Sequence, residues 1–198
     1  QVFFSDQDYI DYITILKDYS EEFDVEIVAY CLMSNHIHHI AVPGNINSLE
    51  KLYKALHTRY AAHINKRFGW SGHLWQCRFF SSPLDDDYFM AAVRYTELNP
   101  LRAKMVSSPE QYLWSSAGSH VFGNFDPLLK PQSKWNKLLP KQAEWLKFLL
   151  HEEREQDDII RKYTKRNLPN GSINFVNDLE LQAGVSFQYK MVGRPKKR

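Results

Sequence analysis

Two apolar runs separated by a short polar break constrain this chain most. Val25–Met33, VEIVAYCLM, is apolar and β-branched at its start, too apolar for a surface loop, and reads as a mostly buried strand. Met33-Ser34-Asn35 turns the chain, and HIHHIAV reads as a second strand ended by Pro43-Gly44. Together they predict a hairpin. Successive side chains of a strand point to opposite faces. His36, His38, Ile40 and Val42 therefore share one face, and Ile37, His39 and Ala41 the other.

Helical patterns surround the hairpin. Ser5-Asp6 caps a predicted helix to about Phe23, with Tyr9, Ile10, Ile13 and Leu16 at helical spacing. Asn47 with Glu50 resembles a capping box before a long helix that runs to about Phe68 and stops at Gly69. GHLWQCRFFSS, from Gly72 to Ser82, is aromatic and extended. Asp85-Asp86-Asp87 opens another helix, with acids in the first turn where the dipole favours them, and Asn99-Pro100 punctuates it. PEQYLWSSAGSH reads as irregular. Beyond Pro131 come a Trp- and Leu-rich helix around Gln142 to Tyr163, a break at LPNGS, a short helical segment NFVNDLELQAG and a basic VGRPKKR. A boundary near Asp126 to Pro131 divides residues 1–125 from an extension, 126–198.

Charge is unevenly spread. The net charge is +2, but from Arg161 onward nine Lys and Arg oppose only Asp178 and Glu180, so that segment is +7 and the first 160 residues are −5. A basic tail on a near-neutral body fits a polyanion partner, and fits a solvated tail equally well. Two cysteines, Cys31 and Cys77, cannot form a disulfide framework, and a reducing cytoplasm is the expected setting. No run approaches the roughly 18 apolar residues of a membrane span, and no signal peptide is seen. The chain opens on Gln1 rather than Met, so the natural N-terminus is expected upstream.

The chemistry-bearing residues lie in two places. Two imidazoles two apart on a strand can ligate one divalent metal and leave positions open, as a catalytic site requires. Alone, such a pair is more often polar decoration on a half-exposed strand. RYTELNP adds a second feature: Tyr95 near a helix end, with Asn99 four residues on and so on the same face. The Asn99 amide oxygen suits a hard cation such as Mg2+ or Mn2+. The Tyr95 phenol is a candidate nucleophile if its target is polarised, or else a tyrosine packed on the sheet.

AYCLMSNHIHHIAVP, GHLWQCRFFSS, RYTELNPLRAKMV and YLWSS occur in order and at suitable spacings. On these motifs, over about residues 1–125, the chain resembles the REP-associated tyrosine transposases, relatives of the single-tyrosine insertion-sequence transposases within the HUH nucleases. VGRPKKR resembles the basic ending of one branch. The resemblance implies an α+β fold, ferredoxin-like or RRM-like, with an antiparallel sheet, helices on one face and a strand preceding Gln1. A mostly helical basic extension would follow. It implies an enzyme that nicks and rejoins single-stranded DNA beside hairpin sequences. His36 and His38 would be metal ligands, Asn99 the third ligand, Tyr95 the nucleophile, and Mg2+ or Mn2+ the cofactor. Tyr95 would form a 5′-phosphotyrosine link and release a 3′-hydroxyl. Relatives act as monomers or homodimers.

Arg78 and Arg102 stand at motif positions that can touch phosphate. Arg94, Arg59, Lys66 and Arg67 are candidate helpers, and Trp75 and Phe79 can stack on unpaired bases. Arg194, Lys196, Lys197 and Arg198 would add salt-sensitive phosphate affinity. His39 and Ser34 depart from the family pattern, which usually has an aliphatic residue and a proline there. His39, on the other face, reads as a tolerated or hydrogen-bonded surface histidine rather than a ligand. Two rivals remain: a domesticated hairpin-DNA binder without cleavage, and a metal phosphoesterase in which Tyr95 is structural.

Overall fold

The computed structural model describes residues 1–76, 78–130, 133–151 and 154–187. The tail residues Arg194, Lys196, Lys197 and Arg198, and Cys77, lie outside them. The fold is α+β. Its centre is an antiparallel pair, β1 (Val25–Met33) and β2 (His36–Pro43), in which Cys31 faces His38 and Met33 faces His36. The predicted hairpin is thus present, with Ser34-Asn35 as its turn.

β1 is buried over most of its length because it is apolar on both faces, and helices cover both faces of the hairpin rather than the one expected. On one side lie α1 (Asp6–Glu22) and α2 (Ser48–Phe68). Tyr12, Leu16, Leu52, Leu56, Tyr60 and Ile64 pack there against Val25, Ile27, Tyr30 and Leu32. On the other side Val28, Ala29 and Ile40 meet Phe89, Ala92 and Val93 of α3 (Asp86–Glu97). A bulge between Ile27 and Ala29 adds one residue, so the α1/α2 face is odd-numbered before it and even-numbered after it. Ile37 and Ala41 of β2 pack toward α1 and α2, and Ile40 and Val42 toward α3, in the predicted alternation.

The ends of the elements follow local chemistry, with three differences from expectation. Asp85 caps α3, its side chain accepting from the Tyr88 amide at 3.0 Å, and Gly69 ends α2 in the left-handed region, φ 65°. Asn47, however, lies in helical geometry and makes no side-chain cap; its amide instead donates to Asn45 Oδ1 at 3.1 Å. The segment expected to be irregular contains a single 3-10 turn, Pro109–Gln111, and α5 (Ala117–Phe122). The predicted Gln142–Tyr163 helix is two helices, α6 (Gln142–Leu149) and α7 (Arg154–Thr164). A short α4 (Asn99–Arg102) follows α3, and α8 (Ile173–Ala183) comes last. Trp145 and Leu149 of α6 and Ile160 of α7 are buried in the α3 cluster, so these helices pack on the hairpin side that carries His36 and His38.

Candidate active site

β2 and α3 build the site between them. The alternation of β2 turns His36 and His38 together, their rings edge-on with centroids 4.9 Å apart. Apolar Phe89, Ala92 and Val93 fix α3 against the sheet and bring Tyr95 to His38, centroids 5.8 Å apart and rings 86° to one another. Asn99 is one turn beyond Tyr95. The backbone stays helical through Leu98, and the Asn99 amide nitrogen donates back to the carbonyls of Tyr95, at 2.8 Å, and Thr96, at 3.2 Å. Those bonds use the nitrogen and leave the amide oxygen as the acceptor.

The histidines have the protonation and the vacant nitrogens that a metal ligand needs. The His36 Nδ1 donates to Asn35 Oδ1 at 2.6 Å, so in the neutral ring Nε2 carries the lone pair. His38 Nε2 is buried and has no hydrogen-bond partner. An unpaired buried nitrogen is costly unless something else takes its lone pair. Burial pushes the His38 imidazole down to about 3, with repulsion from His36 and Arg102 adding to it. Burial, then the Lys165 charge, lowers His36. Both shifts favour the neutral ring. Among the described residues no three His, Cys, Asp or Glu side chains cluster for a metal. A cation on His36 and His38 would need the Asn99 amide, water or a phosphate as further ligands. Two imidazoles and an amide oxygen are donors that a divalent cation in an open site can use.

Tyr95 is half-buried, and burial raises its phenol above the ordinary value. Arg102 opposes that shift. Its guanidinium carbon lies 4.9 Å from the Tyr95 ring centroid, and its Nη1 donates to the Tyr95 carbonyl at 2.9 Å. The other guanidinium nitrogen pairs with Asp157 on α7. α7 therefore borders the site, which the sequence did not reveal. The only trace is that Asp157, Arg161 and Lys165 recur every four residues.

The remaining predicted contacts are scattered. Arg94 is buried, 3% exposed, with its guanidinium over Phe148 and its Nη2 3.4 Å from Gln156 Oε1. That places it beneath α7 rather than on a surface open to DNA. Trp75 stacks on His57, centroids 4.1 Å apart, and joins the α1/α2 core with Phe79. Arg78 is exposed. Lys66 and Arg67 end α2, where Arg67 pairs with buried Asp8 while Arg59 lies over Tyr19. His39 is not on the surface. It is half-buried beneath α2, its Nδ1 2.9 Å from the Tyr53 hydroxyl and hydrogen-bonded as expected, while its Nε2, like that of His38, has no hydrogen-bond partner. A second missed feature adjoins Tyr95. Glu97, 0% exposed, receives His120 Nδ1 at 2.6 Å, Trp145 Nε1 at 2.8 Å and the Ser116 hydroxyl, tying α3 to α5 and α6.

A histidine pair on a strand thus stands beside a helical tyrosine, with an amide one turn on. Residues 1–99 match the family model described as "Transposase IS200 like", and the chain belongs to that family. It is thus a transposase, a DNA-acting enzyme, and among the described residues no helix is long and apolar enough to cross a membrane. No curated protein matches it. No solved structure matches it either.

Proposed function

We propose that this transposase belongs to the REP-associated branch of HUH enzymes and nicks and rejoins single-stranded DNA beside hairpins through Tyr95. One observation carries the reading: His38, whose buried Nε2 has no hydrogen-bond partner, lies against Tyr95 with ring centroids 5.8 Å apart, His36 beside it and Asn99 one helical turn beyond Tyr95. Phosphoryl transfer rests on positioning and charge neutralisation, and each of these residues has a part in one or the other.

His36 and His38, with the Asn99 amide oxygen, would hold Mg2+ or Mn2+. Bound there, the cation would supply positive charge to the non-bridging oxygens of the scissile phosphate. The Tyr95 oxygen forms a bond to phosphorus as the bond to the 3′ oxygen breaks. The phenol gives up its proton to solvent, and the departing 3′ oxygen takes one up as a hydroxyl. The 5′-phosphotyrosine link keeps the bond energy, so rejoining runs the same step backwards with a 3′-hydroxyl as attacker. Arg102 favours the phenolate by lying over the ring and holds the Tyr95 backbone through its carbonyl. Residues 1–125 would form the catalytic unit, 126–198 its extension, acting in the cytoplasm as a monomer or homodimer.

Incubation with a labelled hairpin-bearing single strand and Mg2+ or Mn2+, followed by a denaturing gel, tests the reading. It expects a covalent protein–DNA band that a chelator abolishes. Hairpin affinity indifferent to chelator with no such band would support the domesticated binder. Free 5′ ends without a protein link would support a phosphoesterase with a structural Tyr95.

A further inference from the structure

α7 meets the site on one face. Asp157 pairs with the Arg102 guanidinium that lies over Tyr95, and Ile160 is buried in the core cluster of α3. Those contacts fix which side of α7 points at the reaction. Residues four apart share a helix face. From Asp157 the same stripe continues to Arg161 and then to Lys165, the first residue past the helix, at about 6 Å per step along the axis. The stripe runs from the tyrosine toward the strand. Arg161 acts electrostatically on Tyr95, and Lys165 acts on His36. Both cations are exposed, and neither has an ion-pair partner among the described residues. The neighbouring acids are Asp157, already committed to Arg102, and Asp158, whose charge also reaches Tyr95 from the same helix.

We infer that Arg161 and Lys165, together with Arg102, form an arc that binds backbone phosphates of the single strand flanking the bond cut at Tyr95. The inference rests on the DNA-nicking reading of the site. Exposed cations on and just past α7, between the nucleophile and the proposed metal-binding histidines, suit successive phosphates of an extended strand. They would hold the substrate in line without reading its bases. The extension, residues 126–198, thereby contributes directly to substrate binding.

Binding is measured in the full chain carrying Tyr95→Phe, so that no covalent product intervenes. The probe is a fluorescent single-stranded oligonucleotide with a hairpin, titrated at several salt concentrations without added metal. Each lost phosphate contact on a single strand reduces the salt slope by about 0.7. Arg161→Gln with Lys165→Gln is expected to reduce the slope by roughly 1.4 and to weaken binding about tenfold or more at low salt. Arg161→Lys alone is expected to keep the slope, and Lys54→Gln, on α2 across the sheet, to leave it unchanged. An unaltered slope in the double variant overturns the inference. So does an equal loss in Lys54→Gln, which would mean general attraction, or a loss in Arg161→Lys, which would mean a disturbed helix. The nicking reading is scored separately, by adduct formation in the protein with Tyr95 intact. Its failure would leave these slopes as measured.

Discussion

His38 on β2 and Tyr95 on α3 meet edge to face, ring centroids 5.8 Å apart, although 57 positions separate them in sequence. The contact joins a strand whose alternation turns His36 and His38 to one face to a helix held by apolar packing. A change that shifts either element moves the proposed metal site relative to the nucleophile.

The Asn35 side chain orients His36 by accepting from its Nδ1. Outer partners of metal-binding histidines are worth about 10–100-fold in metal affinity or activity. Asn35→Ala should weaken Mn2+ binding by about that factor while leaving thermal stability near that of the parent. Isothermal titration with Mn2+ measures it, and an unchanged affinity contradicts the assignment of His36 as a ligand.

Glu97 sits two residues after Tyr95 and collects three donors in a fully buried site. Glu97→Ala strands the Ser116 hydroxyl, the His120 ring and the Trp145 indole without an acceptor. The expected loss is roughly 3–5 kcal/mol, read from urea unfolding midpoints. A loss below about 1 kcal/mol would mean that the cluster does not fasten α3 to α5 and α6.

His39 and His57 make folding sensitive to acid. Burial pushes His39 down to about 3, with repulsion from His57 and His38 adding to it, and pushes His57 down to about 4. An unfolded chain takes up these protons near pH 6.5, so the unfolded state binds more protons below that value. Stability is therefore fully present above about pH 6.5 and falls as pH drops toward 4. Each histidine contributes a slope of up to about 1.4 kcal/mol per pH unit. Urea midpoints between pH 7 and 5 check this, and His39→Phe should flatten the slope by about one proton.

Tyr53 is the hydrogen-bond partner that makes His39 tolerable beneath α2. Tyr53→Phe leaves that buried nitrogen unpaired and is expected to cost about 1–3 kcal/mol. A thermal melt unchanged from that of the parent would contradict it.

The sequence made the hairpin legible because a β-branched run, a polar turn and Pro43-Gly44 leave little choice of boundary. The shared face of His36 and His38 followed from strand alternation alone. The bulge near Val28 left no trace, since no glycine marks it. The role of His39 depended on Tyr53, which reaches it only through the packing of α2 on the sheet. Asn47 looked like a cap, yet Asn45 supplied the acceptor two residues earlier. Nothing in the spacing of Arg102 and Asp157 announced their pairing across 55 positions, because it depends on where α7 docks.

The covalent step is the centre of the account, and the direct measurement is peptide mapping of the protein–DNA adduct. Protein incubated with a hairpin-bearing single strand and Mn2+ is digested, and the nucleotide-bearing peptide is identified by mass spectrometry. The expected result is a 5′-phosphate on Tyr95, within RYTELNP, and no adduct from Tyr95→Phe at undiminished DNA affinity. An adduct on another residue, or one that persists at full yield in Tyr95→Phe, contradicts it.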